Sequence, residues 1–252
     1  MSTGDEVRKT KMNGKALIRK LLASTRLNQT RAYIKFYRML RGNENISHLL
    51  EKTRAERFAK IYETGVWLND RTTGALSGLG SELERTQSIR EQLPKLLAEY
   101  SVESILDIGC GDWTWMRHVD MPCTYIGVDI VGSVISSNAK LFGNSRRSFR
   151  VLDAVEEALP DCDAILCREV IFHLSFSDSR RLIKNILKSQ ARYLFTTNDT
   201  DVDCNVDIRS GDFRFLNLRK KPYNFPEPVT CIPEDGVSKH RQLGVWRLDM
   251  LR

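Results

Sequence analysis

The chain has 252 residues, 41% of them hydrophobic, which allows one substantial α/β domain and an appendage. No apolar run approaches the roughly 18 residues of a membrane span, no CxxC pair or histidine cluster suggests zinc, and the first residues lack the apolar core of a secretion signal. The net charge of +7 is concentrated: residues 1–60 hold 15 Lys and Arg against 5 Asp and Glu, leaving the remainder at net −3 and arguing against nucleic acid at a cleft there.

Residues 1–12 are polar and read as disordered. Leu17, Ile18, Leu21 and Leu22, then Tyr33, Phe36, Tyr37 and Leu40, recur at helical spacing among Lys and Arg. With a third helix expected over 47–62, they make residues 1–64 a basic helical arm or cap. Such helices suit covering the domain, pairing in a homodimer, or lying on an anionic membrane surface. Residues 65–252 read as the main domain. It opens with a flexible stretch carrying Gly65, Gly74, Gly78 and Gly80 around Trp67. Ser81 to Glu84 reads as a capping box opening a helix over 82–100, which Pro94 should break or kink.

The apolar run Ile105-Leu106-Asp107-Ile108 then ends in Gly109-Cys110-Gly111, a buried strand entering a glycine turn. A dinucleotide fingerprint needs a third glycine where Thr114 stands, and no Gly-Lys-Ser/Thr follows for a phosphate loop. Asp107 and Asp112 would repel a diphosphate. S-adenosylmethionine, with an ammonium, a sulfonium and no phosphate, fits better. A second strand, Thr124 to Ile130, places Asp129 22 residues after Asp107, where an acid can accept both ribose hydroxyls. A third strand, 148–152, ends in Asp153, whose carboxylate can accept from the adenine amino group. A fourth, 163–167, runs into Arg168-Glu169-Val170-Ile171-Phe172-His173.

Ser177 and Asp178 can cap a helix running to about Ser189, and 192–197 is a fifth strand. The acid-rich loop of Asp199, Asp201, Asp203 and Asp207 fails as a calcium loop, because Cys204 and Ser210 fall where glycine and glutamate are needed. No metal is expected, although a magnesium ion holding vicinal hydroxyls stays an alternative. Residues 222–233 carry four prolines and read as a rigid loop, and 243–251 alternates like a late antiparallel strand. Cys110 and Cys167, in apolar strand ends, read as reduced small hydrophobes, which suits a cytoplasmic protein.

The four strand ends in this order resemble the class I S-adenosylmethionine-dependent methyltransferases. Within them, Gly80-Ser-x-Leu-x-x-Thr86, Cys167-Arg-Glu-Val-Ile-Phe-His-Leu174 and Asn205-x-Asp-Ile-x-x-Gly211 resemble a bacterial-type group, with Glu169 where that group has aspartate. The resemblance implies a Rossmann-like, doubly wound, mostly parallel seven-stranded sheet with an antiparallel late strand and an N-terminal helical extension. It implies a cofactor site of Asp107, Gly109, Cys110, Gly111, Trp113, Asp129, Ile130, Asp153, Ala154 and Cys167. His173 is the candidate general base, since an imidazole titrates near neutrality. Arg168 and Glu169 would fix the loop or hold substrate. Trp67, Asn205, Asp207, Arg214 and Asn217 would line an acceptor pocket, a polar set that suits O-methylation of a small molecule or a glycan. N-methylation, RNA methylation and a non-catalytic cofactor-binding regulator remain the alternatives.

Overall fold

The computed structural model describes residues 45–68, 74–234 and 236–252. The two basic helices expected within 1–44 lie outside them. Seven strands form one sheet in the order β3-β2-β1-β4-β5-β7-β6. They are β1 (Ser104–Ile108), β2 (Thr124–Asp129), β3 (Arg147–Val151), β4 (Ala164–Cys167), β5 (Tyr193–Asp199), β6 (Thr230–Pro233) and β7 (Arg241–Arg247). The first five are parallel, and β7 runs antiparallel to both β5 and β6. This is the Rossmann-like sheet expected. Alternation along β1 sends Leu106 and Ile108 into one core and Ile105 into the other. Both faces are covered, so the central strands read as unbroken apolar runs. Connections leave β1 and β4 in opposite directions, which opens a crevice at their carboxyl ends. The glycine turn follows β1 and the Arg168–His173 segment follows β4, so the topology brings them together.

Helices α1 (Arg54–Thr64), α2 (Gln87–Glu99), α3 (Gly132–Phe142) and α4 (Phe176–Lys188) complete the unit. The single helix expected over 47–62 is a short 3-10 turn, Ser47–Leu50, followed by α1. A true capping box starts α1: Thr53 accepts from the Glu56 N–H at 3.1 Å, and Glu56 accepts from the Thr53 N–H at 2.8 Å. Gly65, at φ 62°, closes it. The box expected at Ser81–Glu84 does not form. Ser81 ends a 3-10 turn, and α2 begins only at Gln87, whose N-cap Thr86 turns its hydroxyl back onto the Glu82 carbonyl at 3.0 Å. Helix α2 also runs through Pro94. Ile89, Leu93 and Leu97 are fully buried on its inner face and hold it against the sheet.

Ser175, rather than Ser177 or Asp178, caps α4 by accepting from the Asp178 N–H. The proline-rich loop yields an unexpected edge strand, β6, where Pro233 occupies the last position. Strand β7 starts two residues earlier than expected and ends at Arg247, before a 3-10 turn. Among the described residues no helix is long and apolar enough to cross a membrane. Replacing Pro94 by alanine should restore a bond to the Arg90 carbonyl and raise the stability of the sheet domain by about 1–2 kcal/mol, read from the urea midpoint. A lowered midpoint would mean that the ring's packing outweighs the missing hydrogen bond.

Candidate active site

The carboxyl ends of β1, β2 and β4 open into a cleft of roughly 1010 Å³ including its mouth, roofed by α1 and the 74–82 segment. Its floor is the glycine turn. The Gly109 and Cys110 N–H groups both donate to the Val128 carbonyl, at 2.8 and 3.1 Å, which ties the turn to β2. Gly109 and Gly111 have φ of 72° and 56°. A Cβ on Gly109 would stand 2.5 Å from Val170 Cγ2, and one on Gly111 would stand 2.2 Å from Ser77 Oγ. No other residue lets the backbone approach the cleft so closely. Asn138 Nδ2 donates to the Gly111 carbonyl at 2.7 Å and fixes the turn from below.

Asp129 ends β2. Its Oδ2 accepts from the Gly111 N–H at 3.2 Å and its Oδ1 from the Val131 N–H at 3.0 Å. Burial raises its pKa against these hydrogen bonds. Asp107 accepts from the Tyr125 hydroxyl at 2.6 Å, and burial pushes its pKa up to about 7. Asp112 holds the roof: its carboxylate accepts from Leu76 N–H and from Ser77 Oγ, while Ser77 accepts from the Asp112 N–H. Five carboxylates line the cleft (Asp107, Asp112, Asp129, Asp153 and Glu169) against two arginines, Arg54 and Arg168. That balance suits a cationic ligand. Ile130, Asp153, Ala154 and Cys110 line it as expected. Asp153, however, is already engaged in an ion pair with Arg54 of α1.

Two expected cofactor residues face elsewhere. Trp113 is buried in the opposite core, with its ring 4.9 Å from Phe142 and 5.4 Å from Phe149, and Arg147 lies over it. Its neighbour Trp115 lines the cleft instead, beneath Arg168. Cys167 is sealed in the sheet core, where burial raises its thiol pKa. The four polar loop residues also turn away. Asn205 Nδ2 donates to the Asn217 and Lys221 carbonyls. Asn217 Nδ2 donates to the Thr200 and Val202 carbonyls. Asp207 accepts from the Phe176 N–H at the start of α4, and Arg214 is buried over the Phe176 ring. These side chains satisfy the backbone of an irregular loop, and none lines the cleft.

His173 and Trp67 do line it, with ring centroids 5.0 Å apart. His173 Nδ1 lies 2.8 Å from the Asp212 carbonyl. A carbonyl only accepts, so Nδ1 carries the proton and Nε2 offers a lone pair. Burial lowers the imidazole pKa to about 4, so the ring is neutral at ordinary pH. Glu169 sits at φ 57° and is held between two arginines: 2.9 Å from Arg241 and 3.8 Å from Arg168. Burial alone would raise its pKa, but these charges hold it below the usual value. Arg168 in turn is clamped by Glu234 at 2.7 Å and the Gly80 carbonyl at 2.8 Å. No local motif marks Arg54 for this cleft. Phe58 and Tyr62 were recoverable, because four-residue spacing on the helix behind the Thr53 box puts them on one face. Tyr62 meets Ser77 at 2.9 Å above Gly111.

The family model for a methyltransferase domain matches residues 106–195, the stretch from β1 to β5. Among solved structures, the chain is similar to N-methyltransferase NodS from Bradyrhizobium japonicum WM9 in complex with S-adenosyl-L-homocysteine, at 20% identity over 57% of this chain and 74% of that one, TM-score 0.45. It is similar to the methyltransferase domain of bacterial CtHen1, at 18% identity over 65% of this chain and 99% of that one, TM-score 0.47. It is also similar to the mitomycin 7-O-methyltransferase MmcR, at 14% identity over 65% of this chain and 54% of that one, TM-score 0.51. No curated protein matches the chain. Gly111→Ala should lower stability by about 2 kcal/mol through its positive φ and the Ser77 contact. Adding Ser77→Ala should return only part of that loss in urea unfolding, since the backbone strain stays.

Proposed function

We propose that this chain is an S-adenosylmethionine-dependent methyltransferase that methylates a ring-borne hydroxyl of a small acceptor, with His173 as general base. The observation that carries the reading is the His173 tautomer. With Nδ1–H committed to the Asp212 carbonyl, Nε2 has no hydrogen bond among the described residues and belongs to a ring that borders the cleft.

The cleft fits the methyl donor. The glycine turn gives a cradle that any Cβ would fill, and Asp129 stands ready for vicinal hydroxyls. Phe58, Ile130 and Leu152 supply apolar faces for a flat base, and the surplus carboxylates suit an ammonium and a sulfonium. Bound there, S-adenosylmethionine supplies an electrophilic methyl carbon on a cationic sulfur. The protein then has to align an acceptor oxygen and remove its proton. His173 Nε2 would take that proton, while the methyl carbon the donor would supply exchanges its bond to sulfur for one to the acceptor oxygen and the sulfur leaves as a neutral thioether. Glu169 is a poor base, since two arginines hold it ionised and engaged. It positions the loop, together with Arg168.

The acceptor's class follows from what stands near His173. The polar loop residues that would favour a glycan through hydrogen bonds are spent on backbone. Trp67 and Phe213 instead flank the imidazole, with centroids 5.0 and 5.8 Å away. The Trp67 ring, which borders the cleft, suits a stacked acceptor ring, either a phenol or the apolar face of a sugar. The acidic lining disfavours RNA, whose phosphates it would repel.

His173→Ala should lower kcat by about 10²-fold or more while leaving S-adenosylhomocysteine affinity unchanged, tested against a panel of phenols and glycosides. Unimpaired turnover in this variant would remove the base role, and a panel without a methylated product would remove the acceptor class. Cofactor binding should also depend on Asp107. Below pH 7 this carboxyl takes up a proton and no longer attracts a cation. Affinity for S-adenosylmethionine should therefore fall as pH drops from about 8 to about 6, by up to about tenfold per unit, with proton release on binding near neutrality. Calorimetry in buffers of different ionisation enthalpy measures both, and Asp107→Asn should flatten the profile.

A further inference from the structure

A second cleft, of roughly 990 Å³ including its mouth, adjoins the first and shares Arg54 and Asp153 with it. Helices α1 and α4 both begin at its wall, so the positive ends of two helix dipoles meet there. Five cations line it (Lys52, Arg54, Arg57, Arg181 and Arg209) against three carboxylates, Asp153, Glu156 and Asp178. All three carboxylates are spent within the cluster. Asp153 pairs with Arg54. Asp178 pairs with Arg54 at 3.0 Å and Arg181 at 2.6 Å, and accepts from Ser210 Oγ. Glu156 pairs with Arg181 and, at 3.4 Å, with Arg54.

Arg57 is left over. It is 7% exposed, and among the described residues no carboxylate reaches ion-pair distance of it. Its Nε donates to the Ser210 carbonyl at 2.6 Å, and its Nη1 donates to the Lys52 carbonyl at 2.9 Å and the Glu51 carbonyl at 3.2 Å. Its Nη2 makes no hydrogen bond among the described residues. Burial, with repulsion from Arg209 and Arg54, outweighs the more distant attraction of Asp178 and Glu56 and pulls its pKa down to about 10. Carbonyls satisfy donors but do not neutralise a charge, and a buried cation without a counter-ion is costly. Lys52 extends the positive field to the solvent edge of the cleft.

We propose that the cleft between Lys52, Arg57 and Arg209 binds a phosphate-type oxyanion, as inorganic phosphate or as the phosphoryl group of a small molecule. Guanidinium donors match tetrahedral oxyanions, and Ser177 at the start of α4 adds a hydroxyl. The volume admits a phosphomonoester, and the flanking carboxylates disfavour a long polyanion. This site is independent of the methyl acceptor.

The test is thermal unfolding and calorimetry of the full chain with inorganic phosphate, with phenyl phosphate, and with sodium chloride at matched ionic strength. Phosphate at about 20 mM should raise Tm by about 4 °C, well beyond the chloride effect. Stabilisation by phenyl phosphate alone assigns the site to esters, and stabilisation by both admits the free ion. Lys52→Glu and Arg57→Gln should each weaken binding about fivefold or more. S-adenosylmethionine affinity should be unchanged in Lys52→Glu, because Lys52 does not border the cofactor cleft. Should Arg57→Gln fail to fold, Lys52→Glu and Arg209→Gln decide. A phosphate shift no larger than that of chloride, or one that persists undiminished in the folded variants, overturns the proposal.

Discussion

A buried guanidinium at the end of β4 holds the working end of the sheet together. The Arg168 side chain is 4% exposed and bridges three separate pieces of chain. It grips Glu234 just past β6, the Gly80 carbonyl in the roof, and Glu169 on its own loop. Glu169 passes the linkage to Arg241 at the start of β7, and Arg241 passes it to Asp199 at the end of β5. In a low dielectric each charge depends on its neighbours, and removing one strands the next, at a cost of about 3–5 kcal/mol. The network therefore fixes the tips of β4, β5 and β7 relative to the 74–82 segment. It also sustains the left-handed backbone at Glu169, a conformation a glutamate would not adopt unaided.

His173 inherits its position from that loop. It lies four positions past Glu169, and a 3-10 turn, Ile171–His173, presents the ring to the cleft. The Asp212 carbonyl and the rings of Trp67 and Phe213 then fix its plane and tautomer. A low pKa suits such a group, because a neutral imidazole keeps its lone pair while a cationic cofactor occupies the cleft. The same burial that weakens it as a base in isolation keeps it in the form that can accept a proton.

The strands and the turn were legible because their signals are local. Ile105 to Gly111 and Thr124 to Asp129 carry both the apolar run and the residue that ends it, so strand and site coincide in sequence. Asp107 and Asp129 could be placed for that reason. Trp113 and Trp115 could not be told apart, because the two lie beyond a turn whose direction rests on positive φ at Gly111 and at Trp113 itself. The pattern at Ser81 predicts a capping box, but the box forms at Thr53. Both stretches share the Ser/Thr-x-x-Glu pattern, and only tertiary packing separates them. The loop polars Asn205, Asp207, Arg214 and Asn217 misled for a different reason. An irregular segment needs internal hydrogen-bond partners, and side chains that supply them look in sequence like side chains kept for a ligand.

Helix α1, within residues 1–64, contributes residues to both clefts. Phe58 and Tyr62 face the cofactor side, Arg54 stands on the shared wall, and Arg57 points to Ser210. The Arg54 pair with Asp153 joins the helix to the end of β3, where an adenine ring would lie. Asp178 holds Arg54 from the side of the second cleft, at 3.0 Å. Arg54 and its partner Asp153 are the side chains that border both clefts, so α1 and the end of β3 form their common wall.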